Sequence, residues 1–150
     1  MESRNTARNG ARYLVIALMW LFLAAVVVQF YFAGRGLLSG GGMVLHQRFG
    51  WSIAHIPIIL ALLAPLVGLG WRTTVLTVVL AVVSGVQPYW VVLFRGQSLG
   101  ALHIPLALAV AVLSYVVAMQ ATSTLRAAPD SDALPEPPRP LLTADDPPIE

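Results

Sequence analysis

Three histidines, His46, His55 and His103, are the side chains in the body of this chain able to exchange a proton near neutral pH or to ligate a metal through nitrogen. No cysteine is present, and no carboxylate occurs between Glu2 and Asp130. Disulfides, thiolate metal sites, iron–sulfur clusters and carboxylate acid–base pairs are therefore absent from the body, as are carboxylate-rich Ca²⁺ or Mg²⁺ sites. Two glutamines, Gln29 and Gln87, sit like the histidines inside long apolar stretches, where a polar group costs free energy and needs a reason. Two imidazoles facing each other across a helical bundle make a bis-axial site for the iron of a b-type haem. The expected set is His55 with His103 as ligands to haem iron and His46 in reserve. Gln29 and Gln87 would bond the second ring nitrogens, and Arg35, Arg48 and Arg95 would pair with the haem propionates.

The preference for His55 comes from an internal echo. Val28-Gln29-Phe30-Tyr31-Phe32 matches Val86-Gln87-Pro88-Tyr89-Trp90; each is followed by Arg-Gly (Arg35-Gly36, Arg95-Gly96) and then by the triplet His-Ile-Pro at 55–57 and 103–105. Two duplicated hairpins related by an axis along the membrane normal would set His55 and His103 symmetrically across the core. The first half carries about 12 extra residues before its triplet, Gly40-Gly41-Gly42 and His46 among them. Pro57 and Pro105 each remove a backbone donor and would loosen the helix beside a histidine, or simply mark a first turn. Ala107, Ala111 and Ser114 line up at helical spacing below His103 and allow close helix approach or room for a flat ring. A structural role competes with the haem: intramembrane His and Gln often only hydrogen-bond between helices, at about 1 kcal/mol or less. Quinone and zinc are the other ligands. His46 and His55, nine residues apart, point about 180° away from each other on one helix.

The elements that must position these residues are membrane spans. The chain has 150 residues, 57% hydrophobic and 11% charged, against about 25% charged in soluble domains. From Arg12 to Arg126 the only charges between are Arg35, Arg48, Arg72 and Arg95, which divide the chain into blocks of about 20 apolar residues. The expected spans are 13–34, 49–70, 73–94 and 99–122, within a transmembrane domain 13–122 preceded by a polar lead, 1–12. The first block is too long for a signal peptide and lacks a small-x-small cleavage pattern. The fold expected is an all-α, integral membrane, four-helix up-down-up-down bundle. An inside N-terminus puts Arg4, Arg8, Arg12, Arg72 and Arg126 in the cytoplasm and leaves Arg35, Arg48 and Arg95 outside, so both termini are expected to be cytoplasmic. Nine arginines with no lysine, amid abundant Ala, Val, Leu and Gly, suggest a GC-rich bacterial genome and hence the bacterial inner membrane. The tail, 127–150, holds seven of the eleven prolines and six acidic residues and is expected to be disordered.

Partners expected are the lipid bilayer, other membrane subunits or a homo-oligomer. A net charge of +2, spread over block boundaries, does not suit nucleic acid. The rival function is a cofactor-free accessory or structural subunit of a membrane complex. A transporter ranks third, with only four spans and no intramembrane carboxylate. Without a carboxylate to orient a histidine base, no hydrolytic constellation forms, so an enzyme is the weaker expectation.

The chain also resembles an uncharacterised family of small bacterial four-helix membrane proteins, a domain of unknown function. The residues that carry the resemblance are Gln29 with Ala33-Gly34 closing the first span, His46-x-x-x-Gly50 opening the second, and Leu102-His103 opening the fourth. It covers roughly 13–120. The resemblance implies a membrane location and a four-helix fold, supplies no activity, and raises the standing of His46 and His103 against His55. The paired-histidine layout is similar to membrane b-type cytochromes in general, an analogy of architecture only.

Overall fold

The computed structural model describes residues 2–39 and 42–126, and every regular element in them is helical. α1 runs Glu2–Leu38, α2 Val44–Ile53, α3 Ile56–Leu66, α4 Trp71–Leu93 and α5 His103–Arg126, and a 3-10 turn at Ser98–Leu102 leads into α5. Four stretches are long and apolar enough to cross a membrane: Thr6–Leu38, Val44–Leu66 (α2 and α3 together), Trp71–Leu93 and Ser98–Leu125. In hydrocarbon the backbone must satisfy its own hydrogen bonds, so segments this apolar become helices.

The spans close into a ring. α1 packs on α2, α3 and α5, and α4 packs on α3 and α5. Spans one and three therefore occupy one diagonal of the bundle, and spans two and four the other. Large apolar side chains such as Leu21, Val27, Leu62, Val92, Ile104 and Leu108 remain exposed around the outside. In water such a surface would be an aggregation hazard; it suits lipid. The chain is an all-α, four-helix, multi-pass membrane bundle.

One end of the bundle carries the connections 39–43 and 94–102; it is called here the histidine end. At the other end α1 begins and α3 turns into α4 through residues 67–70, where Gly68 (φ 72°) and Gly70 (φ 84°) take a left-handed backbone that other residues resist. Arg12 donates from Nη2 to the Gly68 carbonyl at 2.7 Å, tying the start of the first span to that turn. Trp20 Nε1 donates to Thr122 Oγ1 at 3.1 Å. Ala64, Val117, Ala118 and Ala121 are completely buried here, their small side chains letting the helices approach closely.

Several boundaries differ from the expected ones. α1 reaches back to Glu2, so residues 2–12 continue the first helix instead of forming a separate lead; this stretch holds no proline, and one glycine does not stop a helix. The second span starts at Val44, five residues before the expected 49. Trp71 and Arg72 lie in the first turn of α4, and the tight connection uses the two glycines before them. The tail expected to be disordered, 127–150, lies outside the described residues.

Span two is broken at Ala54 and His55. Pro57 has no N–H to give the Ile53 carbonyl, and the Ile58 N–H goes to His55 O at 3.1 Å instead of to Ala54. The released Ala54 carbonyl accepts from Ser84 Oγ of α4 at 3.1 Å, a bond buried in the bundle. Pro105 meets no such break. It sits at the third position of α5, within the first turn, where proline is tolerated.

Candidate functional site

At the histidine end each span contributes one polar residue: Gln29 from the first, His46 from the second, Gln87 from the third and His103 from the fourth. The ring of His46 meets that of His103 across the diagonal, with centroids 6.1 Å apart and planes at 84°. Local structure explains how both rings come to point inward. His46 lies two residues into α2, on a helix packed against α1. His103 is delivered by the 3-10 turn, which Trp90 secures by donating from Nε1 to the Leu99 carbonyl at 2.9 Å.

Gln29 clasps His46 from two sides. Its side-chain amide donates to the His46 carbonyl at 2.8 Å. Its own carbonyl accepts from His46 Nδ1 at 3.2 Å. Since a carbonyl only accepts, that contact places the ring proton on Nδ1 and the lone pair of the neutral ring on Nε2. The Gln29 amide nitrogen lies 3.5 Å from that Nε2. Gly50 makes the clasp possible: a Cβ there would come within 2.5 Å of Gln29 Nε2. One helical turn separates His46 from Gly50, so both present the same face to α1. Phe32 and Phe49, edge to face at 5.4 Å, close the α1–α2 contact beside them.

Three buried atoms in this layer have no hydrogen-bond partner among the described residues: Gln29 Oε1, Gln87 Oε1 and His103 Nδ1. Gln87 is only 8% exposed. Buried polar atoms are almost always paired, and leaving one unpaired costs about 1–3 kcal/mol, so three in one layer set this end apart from the rest of the bundle.

The structure separates His55 from this pair. The ring that meets His103 belongs to His46, while that of His55 is exposed and stacks on Trp51 at 6.4 Å and 24°. Because the span begins at Val44, His55 lies about 16 Å along it, whereas His46 lies about 3 Å along it. The residues between the Arg-Gly and the first triplet form an extra helix, α2. The two triplets consequently occupy different places: one at a break inside a span, the other at a helix start. The echo in sequence does not become an echo in position. Gln29 serves the His46 ring through its backbone carbonyl, and Gln87 contacts neither His46 nor His103 by a hydrogen bond. Arg35, Arg48 and Arg95 are all exposed around this end. Ser114 bonds back to Val110 at 2.6 Å, and with Ala118 and Ala121 its face lies inside the bundle. Among the described residues no three of His, Cys, Asp and Glu come together as a zinc site would require.

Comparison with protein-family models, with curated proteins and with solved structures finds no match for this chain. The functional reading therefore rests on the residues and their geometry.

Proposed function

We propose that this chain is a bacterial inner-membrane electron carrier, both termini cytoplasmic, that holds a b-type haem between His46 and His103. One observation carries the reading: two imidazoles from diagonally opposed spans stand with ring centres 6.1 Å apart. A metal bound to one nitrogen of each of two opposed imidazoles, at about 2 Å per bond, separates the ring centres by roughly 6 Å. The donor set suits the group. His46 presents a lone pair on Nε2 because its Nδ1 proton is engaged by the Gln29 carbonyl, the kind of outer contact that fixes a ligating histidine.

When bound, the haem supplies one-electron redox chemistry. The protein's part is to hold and to insulate. His46 and His103 would hold the group and Gln29 would orient His46; the Gln29 amide, beside Nε2, would have to turn aside to expose the lone pair. Arg35, Arg48 and Arg95 stand at the same end, exposed, where they can pair with ionised propionates.

A cofactor-free accessory subunit is the second reading, favoured by the bonds Gln29 makes to His46, which satisfy part of the layer within the chain itself. An absorbance spectrum of the detergent-purified protein, made with ample haem and recorded oxidised and dithionite-reduced, separates the two. The haem reading expects a Soret band with sharp reduced α and β bands, lost in His46→Ala and in His103→Ala and retained in His55→Ala. A colourless protein overturns it and leaves the accessory subunit.

A further inference from the structure

His55 is a polar side chain set on a surface that faces lipid. Its Nδ1 donates to the Trp51 carbonyl at 3.3 Å, which leaves Nε2 as the accepting nitrogen of the neutral ring. No described residue bonds that nitrogen, and an acyl chain has no donor to offer it. Around it stand two other exposed rings. Trp51 is stacked with His55, and Tyr89 of α4 meets Trp51 edge to face at 5.1 Å, so the three bridge spans two and three.

An apolar groove of about 460 Å³ runs between the same two spans, lined by Ile58, Ala61, Leu62, Ala81, Val82 and Gly85 among others. Helical spacing joins the groove to the rings: His55 precedes Ile58 and Leu62 on one face of span two, and Tyr89 follows Val82 and Gly85 on one face of span three. The small residues open the groove. A Cβ at Gly85 would meet nothing within 4 Å. The surface thus offers a hydrogen-bond acceptor and aromatic faces at its head, then a shallow apolar groove running on along the two spans, away from the histidine end.

We infer that this surface binds a membrane quinone in its quinol or quinone form, head ring beside Trp51, His55 and Tyr89, prenyl tail along the groove. The complementarity is specific in kind. A quinol hydroxyl donates to the His55 acceptor, the Tyr89 hydroxyl can donate to a quinone carbonyl, flat rings pack on Trp51, and an isoprenoid chain fills an apolar groove. A phospholipid tail would fill the groove but has no ring for Trp51 and no donor for His55. The site uses neither His46 nor His103, so it stands whether or not haem is bound there.

The test is a fluorescence titration of the full-length protein in detergent with a naphthoquinone carrying a two-isoprenoid tail. Saturable quenching is expected, with most of its amplitude removed in Trp51→Phe, which leaves the other three tryptophans. His55→Leu and Gly85→Phe should each weaken binding about tenfold or more, the first by removing the acceptor and the second by filling the groove. Gly85→Phe enters open space and His55→Leu suits a lipid face, so unchanged helix content by circular dichroism is expected of both. Leu108→Phe, on the lipid face of α5, should bind as the parent does. Linear quenching that is the same in every variant means partition into the micelle and overturns the proposal. Equal competition by an alkylphosphocholine of matched chain length also overturns it, making the groove a lipid seat.

Discussion

The two ends of this bundle are built from the same four helices and differ in what they leave unfinished. At the Gly68–Gly70 turn the helices close on alanines with no exposed surface, and the turn itself is tied down by Arg12. There, Arg12 Nε is the buried atom without a partner among the described residues, on a guanidinium whose Nη2 is bonded. At the histidine end glutamines and imidazoles stand between the helices, and three buried polar atoms lack partners among the described residues. One end is finished by packing within the chain, the other by polar groups whose valences the chain does not fill.

The comparison is broken most sharply at Ala118. Ala118→Leu has no free space to enter and should lower stability by about 1–3 kcal/mol, read from the midpoint of unfolding in denaturing detergent. At the histidine end Gly50→Ala drives a methyl into the Gln29 amide, which must leave the His46 carbonyl and give up that hydrogen bond, so stability should fall by about 1 kcal/mol. The midpoint of unfolding in denaturing detergent measures it, and a midpoint equal to the parent's would mean that the clasp does not hold α1 against α2. The smallest effect is expected at the break in span two. Ser84→Ala removes the bond that caps the Ala54 carbonyl, costing about 0.6 kcal/mol by the average for interhelical bonds in membranes, and amide exchange near Ile58 should quicken.

Several features were readable residue by residue. The spacing of Arg12, Arg35, Arg48, Arg72, Arg95 and Arg126 placed four helices, and the need for internal backbone hydrogen bonding made them helices. The polar inventory pointed to Gln29, His55, Gln87 and His103, with His46 in reserve, as residues that need explaining. Gly50 carried a fainter signal: it stands one turn after His46, where only a glycine admits the Gln29 amide. Nothing in the sequence connects Trp51 to Tyr89, which lies 38 residues further on in another helix.

What the sequence by itself determined is the class of the molecule: an all-helical, four-span membrane chain with its chemistry confined to three imidazoles and a few amides. Only the tertiary structure decided which imidazoles meet. The physical reason lies in the spans themselves. A soluble helix shows its inward face by a polar stripe on the other side, but these spans are apolar all round, so nothing local says how each is rotated. That rotation is chosen by packing, and here packing turned His46 toward His103 and His55 toward the lipid. An earlier helix start and a proline-induced break moved the two His-Ile-Pro triplets to different places in the bundle, which their matching letters could not show.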